Sequence, residues 1–451
     1  MKDLKNIKIG IVSLGCAKNQ VDAEIMAGKL TKLGYTLTGD PAEAHVIIIN
    51  TCGFIDEAKQ EAIDTILEMA EYKKTGSCKG IVVTGCLAQR YFTEIQEDLP
   101  EADAVVGIGG YKDVAQAVSA VLEGRGFFEK SEDLGLDYLD GERRLFDATG
   151  SAYLKIAEGC DNRCHYCAIP GIRGPFRSRR MVDLVAETER LARDGVKELV
   201  VIAQDTTRYG KDLYGKPMLS ELIKRLEAVE GIEWIRIMYL YPDEVTEGVI
   251  ETIASSPKVV HYVDLPIQHI SDRLLKNMHR RGSSEDIKRI FREFRERIPD
   301  VMIRTSLIVG YPGETDEDFE ELKAFVREVR FDRMGIFKYS REEGTVAAEM
   351  ADQVPESIAQ ARLDELMEIQ QQISLENNRR RVGKVYSTLV EGVADDGIFY
   401  MGRTYAEGPE VDGNVYFTSE EPLEAGSIVD VKILIAEEYD LTGEAVLQED
   451  R

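Results

Sequence analysis

Six of the seven cysteines in this 451-residue chain fall into two groups of three. The tight group, in the run EGCDNRCHYC, is Cys160, Cys164 and Cys167, and the scattered group is Cys16, Cys52 and Cys86. Iron–sulfur clusters are usually held by four cysteine thiolates, so a site with three thiolates leaves one iron open to another ligand. The two groups therefore predict two catalytic clusters, each with an open iron.

Each cysteine group has a simpler alternative explanation. The tight run could hold a structural zinc ion if His165 supplied the fourth ligand, because such sites use four Cys or His side chains. The scattered cysteines could be small core residues, which is a common setting for a free cysteine. The seventh cysteine, Cys78, precedes a strand and is interpreted as a spare thiol.

The scattered cysteines occupy equivalent places in the predicted elements. Short apolar runs alternate with helical patterns from residue 7 to about 122, which predicts a parallel sheet with covered faces. The three cysteines each come just after a strand run, namely IKIGIVS, HVIIIN and GIVVTG. Open α/β sheets bind ligands at the edge formed by the carboxyl ends of the strands. We therefore expect the scattered cysteines to meet at this edge of a flavodoxin-like domain, predicted at residues 4–125.

A second α/β series follows an acidic, turn-rich linker predicted at residues 126–147. Six strand–helix units within residues 148–376 predict a partial (β/α) barrel, smaller than the usual eight units. Active sites of such barrels lie at the carboxyl ends of the strands. The tight cysteine run falls at such an end, as do Gln204, Asp205, residues 266–269 and residues 310–314.

The last part of the chain, residues 379–447, has short alternating runs separated by Gly, Asp and Pro. This pattern predicts a small five-stranded, OB-like β-barrel, a fold that often binds nucleic acid. However, residues 384–451 contain four basic and sixteen acidic residues, and the whole chain has a net charge of −26. Because phosphate binding relies on clustered Lys and Arg, a very basic protein is the better partner, and nucleic acid is expected at most indirectly.

The sequence carries no signal for export or membrane insertion. Its start, MKDLKNIKIGIVSLG, has only a short apolar run, and nowhere do 18 apolar residues follow one another. The cysteines are few and odd in number for this length, so we expect reduced metal ligands and not disulfides. A soluble cytoplasmic protein without a membrane partner is predicted.

The tight cysteine run, with the aromatic Tyr166 just before its last cysteine, resembles the signature of the radical S-adenosylmethionine enzymes. The resemblance implies a [4Fe-4S] cluster whose open iron binds the amino and carboxylate groups of S-adenosylmethionine. One low-potential electron then cleaves the sulfonium and gives a 5′-deoxyadenosyl radical. Because the cofactor does this chemistry, the protein is expected to control positioning, electron delivery and the exclusion of water.

The same resemblance implies a set of cofactor contacts. They are Tyr166, Gln204, Asp205, Ile308, Gly310 and Glu314. The last three would lie under the adenosine, whereas Gln204 or Asp205 would meet the methionine or the substrate. The alternative for residues 310–313 is a tight turn that caps a helix starting near Thr315.

Over essentially its whole length, the chain resembles the methylthiotransferase family. The resemblance rests on the order SLGC, INTCG, VTGC, then the tight run, then the small β-barrel. It implies an enzyme that installs a methylthio group on an unactivated C–H bond, with S-adenosylmethionine as both methyl donor and radical source. It also implies that the scattered cysteines hold a second [4Fe-4S] cluster as a sulfur site, and that the terminal barrel is a TRAM domain.

Several stretches, such as CAIPGIRGPFRSR, VIAQDTTRYGKDLYG and DLPIQHISD, look like the branch that modifies the β-carbon of an aspartate on the small-subunit ribosomal protein uS12. An acidic barrel suits a basic ribosomal protein. The alternative within the family is methylthiolation of an adenosine in transfer RNA, and the alternative from another class is a non-catalytic iron–sulfur or zinc protein. A low-potential electron donor is a further implied partner. Three residues depart from those usual in this branch: Ala17, Gln20 and His165.

Overall fold

The computed structural model describes residues 4–130, 134–146 and 150–446. The first unit is a six-stranded parallel sheet in the order β2-β1-β3-β4-β5-β6, with apolar clusters on both faces. Its strands are β1 (Lys8–Ser13), β2 (Thr36–Leu37), β3 (Val46–Thr51), β4 (Gly80–Gly85), β5 (Ala102–Val106) and β6 (Phe127–Glu129). Its helices are α1 (Ala17–Lys32), α2 (Asp56–Ala70), α3 (Tyr72–Thr75), α4 (Cys86–Arg90), α5 (Phe92–Asp98) and α6 (Val114–Leu122). The predicted flavodoxin-like fold is confirmed.

The central unit is a second six-stranded parallel sheet, in the order β14-β13-β12-β11-β10-β7, which confirms the predicted partial barrel. The strands of this sheet are β7 (Ser151–Lys155), β10 (Glu198–Ile202), β11 (Trp234–Ile237), β12 (Val259–Asp264), β13 (Met302–Val309) and β14 (Arg333–Lys338). A separate two-stranded ladder consists of β8 (Ala157–Glu158) and β9 (Arg177–Ser178). Its helices are α7 (Ile169–Arg173), α8 (Met181–Arg193), α9 (Lys211–Tyr214), α10 (Leu219–Glu227), α11 (Glu247–Ser255), α12 (Asp272–Asn277), α13 (Ser284–Arg297), α14 (Asp316–Val329) and α15 (Glu356–Arg379).

The terminal unit is a closed barrel in the order β15-β16-β17-β19-β18, as the alternating pattern predicts. Its strands are β15 (Val385–Val393), β16 (Tyr400–Arg403), β17 (Val415–Thr418), β18 (Ile428–Ala436) and β19 (Leu441–Ala445). Every second residue points inward along such strands, and the interior is filled by apolar side chains that include Val390, Phe417 and Ile433.

Helix α1 joins the first two units. The outer face of the central sheet packs on its own helices, whereas Val200 and Ile202 of β10 point to the inner face. There they share an apolar cluster with Val21 and Ile25 of α1. Because α1 begins directly after Cys16 and Ala17 joins the same cluster, this packing brings one scattered cysteine close to the inner face of the central sheet.

Buried ion pairs fix the terminal barrel to the central sheet. The Glu198 carboxylate, in β10, accepts hydrogen bonds from Arg236 at 2.8 Å and from Arg403 of β16 at 2.7 Å. Burial alone would raise the pKa of Glu198, but the two guanidinium groups outweigh it and lower the pKa to about 2. The single tryptophan, Trp234, packs in the same apolar cluster as Ala406 of the barrel unit.

We expect acid to weaken the docking of the terminal barrel. The pKa of Glu198 is about 2 when docked and about 4.3 in an unfolded chain, so its contribution is complete above pH ~4.5 and is lost as the pH falls towards 2. At pH 7, Glu198→Gln leaves Arg236 buried without a carboxylate and leaves Arg403 with Glu391 as its one carboxylate partner, at an expected cost of about 3–5 kcal/mol. Urea titrations followed by Trp234 fluorescence measure this loss. In the control variant Glu424→Gln, an exposed barrel carboxylate is changed, and equal midpoints for the two variants would contradict the prediction.

The segment predicted as a linker is more ordered than expected. Strand β6 extends the first sheet into this segment, because Phe127–Glu129 pairs with β5. Leu139 is also buried, against α1 and the central sheet. The predicted boundaries at residues 148 and 447 lie outside the described residues, as do residues 131–133 and 147, and the domain boundaries stay a prediction.

None of the helices in the described parts of the chain is long and apolar enough to cross a membrane.

Candidate iron–sulfur sites

A short antiparallel ladder closes the loop that carries the tight cysteine run. Strands β8 and β9 pair on either side of residues 159–176. Inside the loop, the Cys160 N–H donates to the Gly174 carbonyl at 3.1 Å, and the Phe176 N–H donates to the Asp161 carboxylate at 3.1 Å. The loop is therefore held by its own hydrogen bonds at the carboxyl end of β7.

The three thiols of the tight run lie close enough to affect one another. Burial raises the pKa of Cys160 to about 11 and also raises that of Cys167, and the neighbouring Cys164 adds to both effects. The Arg280 guanidinium opposes this negative charge, since its Nη1 lies 4.0 Å from the Cys164 Sγ and donates to the Tyr166 Oη at 3.1 Å. Three adjacent thiols with a cation beside them suit binding as thiolates.

Gln204 and Asp205 lie just after β10 and differ in their freedom to bind a ligand. The Gln204 Nε2 donates to Glu158 at 2.8 Å, but its Oε1 is buried and has no hydrogen-bond partner among the described residues. The Asp205 carboxylate is buried, which raises its pKa, and accepts from the Asn162 side chain at 2.8 Å and from the Thr207 N–H at 3.1 Å. Gln204 therefore has an oxygen available for a ligand, whereas Asp205 holds the cysteine loop through Asn162.

Ile308 and Tyr166 come together, although they are far apart in sequence. Ile308, near the end of β13, shares an apolar cluster with Leu274, Met278 and Tyr311, and Tyr166 of the cysteine loop packs against this cluster. An apolar floor is thus present beside the tight cysteine run.

Residues 310–313 form the tight turn that was the alternative interpretation. The Glu314 N–H donates to the Tyr311 carbonyl at 2.9 Å. The buried Glu314 carboxylate accepts from the Gly310 N–H and pairs with Arg362 at 3.1 Å, so it braces the turn from inside. The turn does not cap α14, since Thr315 begins that helix with its own capping box.

The scattered cysteines converge at one edge of the first sheet. A Cβ placed on Gly15 would lie 2.7 Å from the Cβ of Cys52, and one placed on Gly53 would lie 3.1 Å from the carbonyl carbon of Cys86. The loops after β1, β3 and β4 therefore touch. Burial raises the pKa of Cys86 to about 12, and the thiols of Cys16 and Cys52 add to the rise. Cys16 is exposed and Cys86 is buried, so the group opens to solvent on the side of Cys16.

Arg173 connects the two cysteine groups. Its Nη2 donates to the Asn19 Oδ1 at 2.5 Å, and the same oxygen lies 3.7 Å from the Cys86 Sγ. Its Nη1 donates to the Glu158 carboxylate at 2.6 Å, next to the loop of the tight run. A chain of three polar side chains therefore leads from the scattered group to the start of the Cys160 loop.

Arg173 is part of a buried charge network that spans two units. Asp22 belongs to α1, whereas Lys155, Glu158 and Arg173 belong to the central unit. Lys155 contacts both acids, and Arg173 lies 3.2 Å from Asp22 and 2.6 Å from Glu158. Burial alone would raise the pKa of Glu158, but Arg173 and Lys155 lower it. The network places a set of compensated charges between the two cysteine groups.

Replacing Arg173 by methionine should destabilise the protein strongly. Asp22 and Glu158 would then share a single cation, Lys155, in a buried site, and the loss of one partner of a buried pair costs about 3–5 kcal/mol. Urea titration followed by circular dichroism measures the change. The control is Arg180→Met, because Arg180 is exposed and pairs with Asp183 at the surface, where an ion pair adds little to stability. An unfolding midpoint of the Arg173→Met variant as high as that of the control would show that the network is not needed.

His165, the fourth ligand in the zinc alternative, is held by two contacts of its ring. The His165 ring stacks on His279 at a centroid distance of 5.0 Å, and its Nδ1 lies 2.8 Å from the Asn277 carbonyl. Among the residues the structure describes, no group of three or more His, Cys, Asp or Glu side chains is spaced to hold a single metal ion. Cys78 lies in an apolar cluster before β4, at the opposite edge from the scattered group.

Comparison with known proteins identifies the family. The chain is 52% identical to the ribosomal protein uS12 methylthiotransferase RimO of Acetivibrio thermocellus, over 97% of this chain and 98% of that protein. It is 51% identical to the protein of the same name from Pelotomaculum thermopropionicum, over 98% of this chain and 100% of that one. This chain belongs to the RimO family. RimO relatives thus match all three structural units, from the first sheet to the terminal barrel.

Family models match each of the three structural units, and a solved structure shares the fold. Residues 8–107 match the uncharacterized protein family UPF0004, residues 154–326 match the radical SAM superfamily, and residues 382–446 match the TRAM domain. The fold resembles that of TsrM, a radical S-adenosylmethionine methyltransferase from Kitasatospora setae solved with cobalamin and a [4Fe-4S] cluster. The TM-score is 0.55 at 14% identity, over 85% of this chain and 77% of that one.

Several residues around the two cysteine groups of this RimO-family chain are not predicted from its sequence. No sequence motif indicates the charged residues Lys155 and Asp22 of the buried network, or Arg280 beside the tight run. A signal exists for Lys155, because it interrupts the apolar strand run SAYLKIA, and a charge in a buried strand requires a partner. The partner itself, Asp22, lies in another unit and cannot be read from that run.

Proposed function

We propose that this protein attaches a methylthio group to the β-carbon of an aspartate on the ribosomal protein uS12. The observation that carries the proposal is the junction at Arg173, where two groups of three cysteines lie on either side of one buried network. The sequence identity of about 50% to RimO enzymes, over nearly the full chain, also supports the proposal. One site makes a radical and the other holds sulfur, so both must lie near the same substrate carbon.

The tight run is proposed to hold a [4Fe-4S] cluster through Cys160, Cys164 and Cys167, and the scattered group is proposed to hold a second one through Cys16, Cys52 and Cys86. When bound, the first cluster would supply an electron for cleaving S-adenosylmethionine, and the second would carry the sulfur to be transferred. The donor sets fit, because each offers three thiols near a guanidinium group, Arg280 or Arg173.

The chain's own residues would bind and orient S-adenosylmethionine. Gln204 offers a buried carbonyl oxygen that has no hydrogen-bond partner in the described part of the chain, which suits the amino group of the methionine moiety. Ile308 and Tyr166 supply the apolar surface beside it, and the turn at Gly310 closes one side. Asp205 is assigned an indirect role, because its carboxylate is already hydrogen-bonded within the protein. Glu314 braces the turn through its Oε2, whereas its buried Oε1 makes no hydrogen bond among the described residues and lies 3.4 Å from the His269 Nε2.

The terminal barrel is proposed to bind the basic substrate protein. Its exposed carboxylates include those of Asp395, Asp396, Glu420, Glu421 and Glu424. Its buried charges are paired within the protein, as Arg403 is with Glu198, so they add little to the negative charge of the surface. A negatively charged surface attracts a cationic protein and repels the phosphates of RNA. A low-potential electron donor completes the set of proposed partners.

The proposal is tested by giving the anaerobically reconstituted protein S-adenosylmethionine, a strong reductant and either uS12 or transfer RNA. Mass spectrometry should find the mass of one methylthio group on an aspartate of uS12 and none on the RNA. Modified adenosine with unmodified uS12 would favour the transfer-RNA alternative instead. Zinc without sulfide in the reconstituted protein would overturn the enzymatic proposal.

A further inference from the structure

The side chain of Lys18 is largely buried, and its ammonium group has no anionic partner among the residues that the structure describes. It is only 8% exposed, and its Nζ lies 3.1 Å from the centroid of the Tyr239 ring. Within the part of the chain that the structure describes, its ammonium group makes no hydrogen bond or ion pair. An aromatic face attracts an ammonium group but satisfies none of its three N–H donors with an oxygen. The ammonium group of Lys18 can therefore accept an anionic ligand as a partner.

The acids closest to Lys18 along α1 are already paired. Asp22, one turn further on, contacts both Lys155 and Arg173. Glu24 pairs with Arg143 at 2.5 Å. The helix itself thus offers no free carboxylate to Lys18.

Lys18 lies between the scattered cysteines and the mouth of the central barrel. It follows the exposed Cys16 by two residues in the first turn of α1, and Tyr239 comes just after β11 at the mouth of the central barrel. The amino end of this 16-residue helix adds positive partial charge at the same place. A group bound at Lys18 would therefore lie between the scattered cysteines and the barrel.

We propose that Lys18 binds the side-chain carboxylate of the target aspartate. This inference rests on the proposed function and names the residue that selects its substrate. The β-carbon of an aspartate is bonded directly to the carboxylate carbon, so an ion pair at Lys18 fixes the position of the C–H bond to be attacked. An adenine base has no carboxylate, and the same contact thus favours a protein aspartate over transfer RNA.

The test compares the binding of two labelled uS12 peptides, one with the target aspartate and one with asparagine in its place, to the reconstituted enzyme. The wild type should bind the aspartate peptide about 100-fold more tightly, and Lys18→Met should bind both peptides alike, because a buried charge pair loses its attraction when one partner is truncated. The matched control is Lys32→Met, on the same helix, where Lys32 is exposed and pairs with Glu142 at the surface. It should keep the preference of about 100-fold.

The other outcomes separate this inference from the proposed function. Equal binding of both peptides by the wild type, with methylthiolation of uS12 intact, would overturn the role of Lys18 and leave the proposed function standing. Tight binding of transfer RNA and none of either peptide would overturn both. Loss of iron from the Lys18→Met variant would mean that Lys18 serves the cluster at the scattered cysteines, which also contradicts the inference.

Discussion

Replacing Cys160, Cys164 and Cys167 together by alanine should halve the bound iron and abolish cleavage of S-adenosylmethionine. Two [4Fe-4S] clusters correspond to about eight irons per chain, so about four should remain at the scattered group. Without thiolates in the closed loop of β8 and β9, no electron reaches S-adenosylmethionine, and 5′-deoxyadenosine should fall to background. Iron and sulfide analysis after anaerobic reconstitution, followed by chromatography of the products, measures both quantities.

The seventh cysteine provides the control for this experiment. Cys78 is buried in an apolar cluster away from both groups, so Cys78→Ala should keep about eight irons and full activity. A triple variant of the tight run that still bound about eight irons, or still made 5′-deoxyadenosine, would contradict the assignment of this loop as the radical site.

Replacing Cys16, Cys52 and Cys86 together by alanine should separate the two halves of the reaction. The tight run and Arg280 are untouched, so about four irons and the formation of 5′-deoxyadenosine should remain. The methylthio product on uS12 should be lost, because the edge of the first sheet no longer carries sulfur ligands. Mass spectrometry of uS12 and quantification of 5′-deoxyadenosine in the same reaction give both results.

The outcome of this second experiment depends on an intact fold, which circular dichroism should check in parallel. A variant that loses the radical step as well, at unchanged fold, would show that the scattered cysteines do not form a separate site. A variant that still makes methylthiolated uS12 would contradict the sulfur role directly.

The sequence predicts the positions of the cysteines well because strand ends are a local property. Cys16, Cys52 and Cys86 each follow a strongly apolar strand, and parallel strands have only one carboxyl edge. The six strands of the central unit are predicted for the same reason, since each is a clear apolar run before a helical pattern. The spacing of apolar runs along the sequence therefore predicts the order of the strands and the convergence of the cysteines within each group.

The contacts between units could not be predicted in this way. The pairing of Asp22 with Lys155 and the placement of Lys18 over Tyr239 depend on how α1 enters the inner face of the central sheet. A helical period indicates which face of α1 is apolar, but not which sheet that face meets. The short strand β6 was also missed, because three residues carry too little pattern to distinguish a strand from a linker.

The network around Arg173 also constrains the order in which the newly synthesised chain can mature. Asp22 emerges from the ribosome early, whereas the cations that pair with it, Lys155 and Arg173, are made more than 130 residues later. Until then Asp22 lacks both of these cations, so the buried ion pairs between the two units form only after the central unit has been made. Docking of the two units is therefore a late step of biogenesis, and the two cysteine groups come to lie on either side of the network only at that step.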